Sequence, residues 1–564
     1  MPRKLPVAAQ AKASPQRAPK KPRHARAGTA SQAEAGGRGA SARSRQAGSS
    51  KTSARAAVRG RTQAAVEPAA TSSARTAAKA SRVRAPKRTA AAAPLAERGG
   101  ALIHERRLDN GLRVLLAERH RDPVVSVILF YRVGAVDERE TEAGVSHFLE
   151  HMMFKGTPRF GKGSIDQRTA TLGGQNNAFT GYDHTGYWYE FSSDRWEEAL
   201  VLESDRMRHL LLDPAEFASE REVVLEELAM GEDEPWRVLG RRVEARLFGR
   251  HPYGRPIIGF PDTLRGMTPD SMRAHYRRFY HPRNATLLIC GDVDPKEAFQ
   301  RAETHFGGLG LQSPNERGPR RGRRGASGAA AAADAIETMD AVAPRSALRP
   351  PAEEPFGEQR LEMRWPDPAK RLCMAWRAAP AGSPDDYALD LIVVLLTSGR
   401  NSRLQRRLVL DGALATSVSA YNDSRVEDGA FWLQAQCREG VEPATLEAAI
   451  DAELNRLFEE PPSEAELDRA RRMLKASEAH DAETTSDLAE ELGSWAVDVD
   501  WTHALDGGVR HALVDARTLS EVASRLLRPA RRVVGWSLPA SGAPASEGGA
   551  AEPAGSGEEI DQDD

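Results

Sequence analysis

The sequence predicts an α+β protein made of two related domains in tandem, set between two disordered tails. Three observations predict it. Composition changes abruptly near residues 98, 311, 355 and 539. The two bodies marked off in this way, each about 200 residues long, both mix short apolar strand-like runs with longer helical segments. A stretch of the first body is also echoed in the second.

The arm formed by residues 1–98 carries 22 Lys and Arg against 3 Glu and no Asp, with almost no aromatic or branched apolar residues. It cannot bury a core and is expected to be disordered. Its charge suits loose contact with nucleic acid or anionic lipid, but nothing in it reads as a specific nucleic-acid site. It is Arg- and Ser-rich and acid-poor, as organelle transit peptides are, yet long for one, and no apolar secretory segment follows Met1. The tail from Ala540 carries 7 acids and no base. With the arm at +19 and the tail at −7, the formal net charge of −1 leaves −13 on residues 99–539. The field of such a body favours basic peptides. No apolar run approaches the ~18 residues of a transmembrane helix. Cys290, Cys373 and Cys437 are widely spaced and odd in number, so neither a disulfide framework nor a metal clip is expected. A reducing compartment, the bacterial cytoplasm, is favoured, with the periplasm or an organelle matrix left open.

The first body, residues 99–310, opens with "RLDNGLRVLLAE", two strand-like runs about the turn pair Asn110-Gly111. "VVSVILFYRVG" reads as a buried strand, "YWYEF" and "LICGDVD" as later ones. Residues 311–355 contain "RGPRRGRRGASGAAAAADA" and read as a flexible linker. In the second body, 356–539, "RLCMAW" and "GAFWLQAQ" read as strands and "YALDLIVVLL" as a helix. The echo pairs "LLLDPAEFASEREVVLEEL" with "LFEEPPSEAELDRARRMLK", setting Arg221 against Arg469, Glu220 against Asp468 and Glu227 against Lys475. In that register the second copy keeps the scaffold and lacks one carboxylate.

"GVSHFLEHMMFKGT", residues 144–157, holds two histidines four apart with a glutamate before the second. At ~100° per residue, Val145, Phe148, Leu149, Met152 and Met153 form one stripe, and His147, Glu150 and His151 the opposite face. The imidazoles then stack one turn apart. This fits either a metal site or an exposed helix with ordinary histidines. A catalytic zinc needs three protein ligands and an open position, so a third ligand decides. In "FASEREVVLEELAM", residues 217–230, Glu220 and Glu227 share a helix face with Val223 and Val224, where carboxylates are costly unless paired or metal-bound. Glu226 points away. A solvated acidic helix is the alternative for this segment taken alone.

Together "GVSHFLEHMMFKGT", "GGQNNAFTGYDHTGYWYEF", "ESDRM", "EREVVLEE" and "HPRNATLLICGDVD" resemble the inverted-zincin peptidases, the M16 family of pitrilysin, insulin-degrading enzyme and mitochondrial processing peptidase, in the single-half form of bacterial relatives. The resemblance covers residues 101–310 closely and 358–535 more loosely. It implies two α/β-sandwich domains, each an antiparallel-rich sheet with helices packed on it. It implies one zinc ion per chain, held by His147, His151 and Glu227. Glu150 corresponds to the catalytic base and Glu220 to an auxiliary acid. Asn177 and Ala178 fall on an edge strand to which peptide substrates add by main-chain hydrogen bonds. His184 reads as a turn or structural residue. The implied activity is zinc-dependent endopeptidase cleavage of peptides or unstructured segments inside a chamber closed by two halves. This chain supplies one half, with no HxxEH after residue 311, so a second half is implied: a copy of itself or a paralogue. Family members grip substrate with an Arg and a Tyr seven residues apart in the second domain. Here Ala430 and Cys437 stand at the loosely matched places, which favours a heterodimer with a paralogue bearing that pair. The alternative is a non-catalytic binding or assembly subunit.

Overall fold

The structure, a computed structural model, describes residues 94–310 and 357–540. Most of the basic arm, the linker and the acidic tail lie outside the described residues. The first body comprises β1 (Ala96–Arg98), β2 (Ala101–Arg107), β3 (Arg113–Glu118), β4 (Val124–Tyr131), α1 (Val145–Met152), α2 (Ser164–Thr171), β5 (Gln175–Thr180), β6 (Thr185–Ser192), α3 (Glu197–His209), α4 (Pro214–Glu232), α5 (Pro235–Phe248), α6 (Pro261–Gly266), α7 (Pro269–Phe279), β7 (Ala285–Gly291) and α8 (Pro295–Phe306). The second comprises β8 (Gln359–Trp365), β9 (Arg371–Ala378), α9 (Pro384–Thr397), β10 (Ala415–Ser424), β11 (Gly429–Cys437), α10 (Pro443–Glu459), α11 (Glu464–Asp481), α12 (Thr485–Asp498), α13 (Thr502–Leu513), α14 (Ala516–Leu526) and β12 (Arg532–Pro539).

The two sheets repeat one topology. The first runs β1-β2-β3-β7-β4-β6-β5 and the second, read from its other end, β8-β12-β9-β11-β10. In both, the first and last of the shared strands pair in parallel and the other neighbours antiparallel. The echoed segments fall on corresponding helices, α4 and α11. β1 corrects the expected end of the arm by three residues. Gly99 and Gly100, with φ of +56° and +75°, close a hairpin that composition alone does not show. Arg98 then reaches Glu491 at 2.9 Å.

Each sheet buries one face on its own helices. The other face is covered by a helix of the opposite body. α12 lies across β4 and β7, and α5 across β9 and β12. Leu488, Leu492 and Val497 meet Ile128, Phe130 and Leu288 in one such core; Leu239, Val243 and Phe248 meet Cys373, Ala375 and Val533 in the other. Close approach requires glycine in both. A Cβ on Gly493 would lie 2.1 Å from the Phe130 ring, and one on Gly535 2.5 Å from Val243. The cysteines are free and buried, and among the described residues no helix is long and apolar enough to cross a membrane.

Candidate metal centre

α1 is set by both of its ends and by one face. Gly144 caps it at φ +96°, a conformation suited to glycine, and a Cβ there would lie 2.5 Å from the Ile258 carbonyl oxygen. Buried Glu138 accepts the Gly144 and Ser146 N–H groups, each at 2.8 Å, supplying acceptors to the open N–H groups at the helix start. Val145, Phe148, Leu149, Met152 and Met153 are all buried, worth roughly 1.5–3 kcal/mol for each large side chain. That burial turns His147, Glu150 and His151 the other way.

α4 starts at Asp213, whose side chain accepts the Ala215 and Glu216 N–H groups at 2.9 and 3.0 Å, with Pro214 at the first position. Phe217, Val224 and Leu228 face the core. Val223, expected on that face, is 44% exposed, so the face is narrower than the pattern suggested. The Phe148 and Phe217 rings pack at 4.6 Å and lock α4 against α1.

This packing brings one donor atom each from His147, His151 and Glu227 within 4.8 Å of one another. His147 Nε2 lies 3.8 Å from Glu227 Oε1, and His151 Nε2 lies 3.5 Å from Glu227 Oε2. Ligands ~2.0–2.1 Å from a tetrahedral zinc stand roughly 3.3–3.5 Å apart, so both His–Glu distances come close to those around such an ion. Glu220 accepts from His151 Nδ1 at 3.0 Å, which turns Nε2 toward Glu227. Lys155 pairs with the other oxygen of Glu220. His147 Nδ1 is buried with no partner among the described residues, leaving Nε2 as its donor to the centre. Glu226 is exposed.

The electrostatics suit the donor set. Burial, then the neighbouring His151, holds His147 down to about 4, so it is neutral with a lone pair to offer. Burial also works downward on His151, but hydrogen bonds to Glu227 and Glu220 outweigh it and raise it. Glu227 is lowered, chiefly by the hydrogen bond from His151. Glu150 is raised by burial, although Thr180 donates a hydrogen bond to its Oε2.

Asn177 and Ala178 lie on β5, the edge of the first sheet. The Asn177 side chain accepts the Ala178 N–H at 2.9 Å. His184 is buried and bonds Asp498 of α12 through Nδ1 at 2.8 Å, joining the two bodies. Ala430 and Cys437 project from opposite faces of β11, both buried, one toward α5 and the other into the second core. The sequence reasoning missed Thr180, Lys155 and Glu138. Lys155 follows His151 by four and could have been found by extending the wheel. Thr180 meets Glu150, and Glu138 the start of α1, through tertiary packing, and neither carries a local signal.

Two family descriptions match the chain: "Insulinase (Peptidase family M16)" over residues 113–260 and "Peptidase M16 inactive domain" over 266–474. The zinc protease PqqE of Helicobacter pylori is 27% identical over 401 residues, spanning 70% of this chain and 83% of that protein. An uncharacterised zinc protease of Mycobacterium leprae is 29% identical over 333 residues, 59% of this chain and 68% of its own. Among solved structures, a protease from Helicobacter pylori aligns with a TM-score of 0.69 at 24% identity, covering 78% of this chain and all of that one. The periplasmic protease PqqL of Escherichia coli aligns with a TM-score of 0.63 at 20% identity, covering 80% of this chain but 49% of its own. The duplicated topology, the histidine pair on α1 and these matches agree, and the chain belongs to the M16 peptidase family as a single half of two tandem domains.

Proposed function

We propose that this chain is a zinc metalloendopeptidase acting on peptides or unstructured polypeptide segments. The observation that carries the reading is the convergence of His147, His151 and Glu227 donor atoms within 4.8 Å, with Glu150 on the same helix face. Zinc held there supplies Lewis-acid polarisation of the scissile carbonyl and lowers the pKa of water to ~7. Glu150 takes a proton from the attacking water and returns it to the departing amine. Thr180 holds one Glu150 oxygen, leaving the other for that proton. Glu220 keeps the His151 ring in its donor orientation. The β5 edge receives an extended substrate, whose carbonyl takes the place of the Asn177 side chain on the Ala178 N–H.

Glu150→Gln is expected to abolish cleavage of a quenched peptide while zinc content stays at one ion per chain. Retained turnover removes the assigned role, and zinc below ~0.1 per chain after supplementation favours a binding or assembly subunit. The enzyme is further proposed to work as one half of a pair, since PqqL spans about twice the matched length. Ala430 and Cys437 offer no polar grip, which favours a paralogous partner. Light scattering on protein from its native host would give the mass of two halves; the mass of one chain alone would contradict pairing.

A further inference from the structure

A cavity of about 450 Å³ opens beside the metal centre, between the β5–β6 turn, α5 and the end of β10. Thr180, the partner of Glu150, stands on its wall. Arg237 of α5 stands on it too. Its guanidinium lies flat over Gly231 of α4, where a Cβ would fall 2.8 Å from Cζ and 2.9 Å from Nε and Nη1. Gly231 follows Glu227 by four residues, so this guanidinium sits one helical turn, ~5.4 Å, along the face that carries the third metal ligand. Its charge is felt at both His147 and Glu227.

The other charged side chains of the cavity already hold hydrogen-bond or ion-pair partners, His184 with Asp498 among them. Arg425 bonds Glu244 at 2.5 Å, pairs with Asp423 and stacks on Tyr182 at 3.9 Å. Tyr182 donates to Glu244 at 2.8 Å, and Tyr253 donates to Asp183 at 2.9 Å. Arg237 has no carboxylate within salt-bridge distance among the described residues, and it is exposed to the cavity side. The bed over Gly231 orients five donors of a planar fork, a shape that matches a carboxylate. Trp236, Tyr421 and Trp432 add flat apolar walls beside it.

We propose that Arg237 makes this cavity a substrate subsite for a carboxylate and thereby selects peptides carrying an anionic group next to the scissile bond. The proposal rests on the peptidase reading for its functional meaning. The net charge of the body works at long range in favour of basic peptides, and Arg237 is the local exception, so selection is set by position as well as by total charge. The carboxylate has two possible sources in a peptide, an Asp or Glu side chain or a free C-terminus.

The test uses the full-length, zinc-loaded Glu150→Gln protein with any chain that copurifies. Binding is read by fluorescence anisotropy. One labelled series is amidated and carries a single Glu or Gln scanned along a neutral background. A second neutral series ends in a free carboxylate or an amide. At one position, or at the free terminus, the anionic member is expected to bind about fivefold tighter than its neutral counterpart, the upper end for a partly exposed pair. Adding Arg237→Gln should bring that ratio to near one, Arg237→Lys should restore part of it, and Arg237→Glu should reverse it toward basic peptides. An effect in the first series assigns the site to acidic side chains, and one in the second assigns it to chain ends. A ratio that is the same with and without the guanidinium overturns the proposal. If the ratio responds to Arg237 but the wild-type protein cleaves no peptide, the subsite stands and the peptidase reading fails.

Discussion

At the scale of single residues, the proposed zinc centre depends on side chains outside its three candidate ligands. Glu220 fixes the tautomer of His151 by accepting from Nδ1 at 3.0 Å, and Lys155 neutralises its far oxygen. Glu220→Gln leaves the three ligands in place but removes the charge from that hydrogen bond. Zinc affinity is expected to fall roughly 10–100-fold, measured by competition with a chromophoric chelator, with the unfolding midpoint nearly unchanged. An unaltered affinity would make Glu220 a plain helix carboxylate. The candidate ligands stood out by four-residue spacing on α1 and a face position on α4, and their proposed role came from the family resemblance. Thr180 did not, because a threonine at the end of a short, largely polar strand looks like any other. Only the packing of β5 against α1 brings it to Glu150.

At the scale of elements, α1 is held by a helix cap with an unusual titration. Glu138 is buried and pushed up to about 7, although the backbone N–H groups of Ser146 and Gly144 work against that rise. In the unfolded chain its carboxyl titrates near the ordinary value of 4.5. Its folded pKa is therefore raised, and the unfolded state loses its proton first. The contribution to stability is full below about 4.5 and is lost as pH rises through about 7, with a slope of ~1.4 kcal/mol per pH unit while it lasts. Urea unfolding at steps across this window should show the slope, and Glu138→Gln should flatten it. An equal slope in the variant would assign the pH dependence to other groups. Most strands were legible from short apolar runs such as "VVSVILFY" and "GAFWLQAQ". β1 was hidden because its three residues sit in a basic, low-complexity context, and the Gly99-Gly100 turn is what makes it a strand. Val223 went the other way: its apolar character suggested burial, but of its large apolar side chains α4 buries Phe217, Val224 and Leu228.

At the scale of the whole molecule, the duplication was readable and the reciprocal packing was not. The echo between α4 and α11 is a local similarity and survives in sequence. That α5 covers the second sheet and α12 the first is a statement about contacts between bodies, and an amphipathic helix does not encode whose sheet it will meet. Arg237 belongs to the same class. It was unremarkable in the sequence and gains meaning because α5 runs from the end of α4 to the second body, carrying its first turn past Gly231.

The exchanged helices also change what the peptide connection between the bodies is for. Each body hands the other a piece of its interior, with Gly493 against Phe130 and Gly535 against Val243 as the tight points. Once that handclasp has formed, continuity of the backbone between residues 310 and 357 adds only an effective concentration. A protease site engineered into that stretch and cut after purification should yield two fragments that stay together through gel filtration and keep their zinc. Either fragment produced alone should be insoluble, with one sheet face bare. Separation of the cut fragments in native buffer would show that the tether, and not the exchange, holds the halves of this chain together.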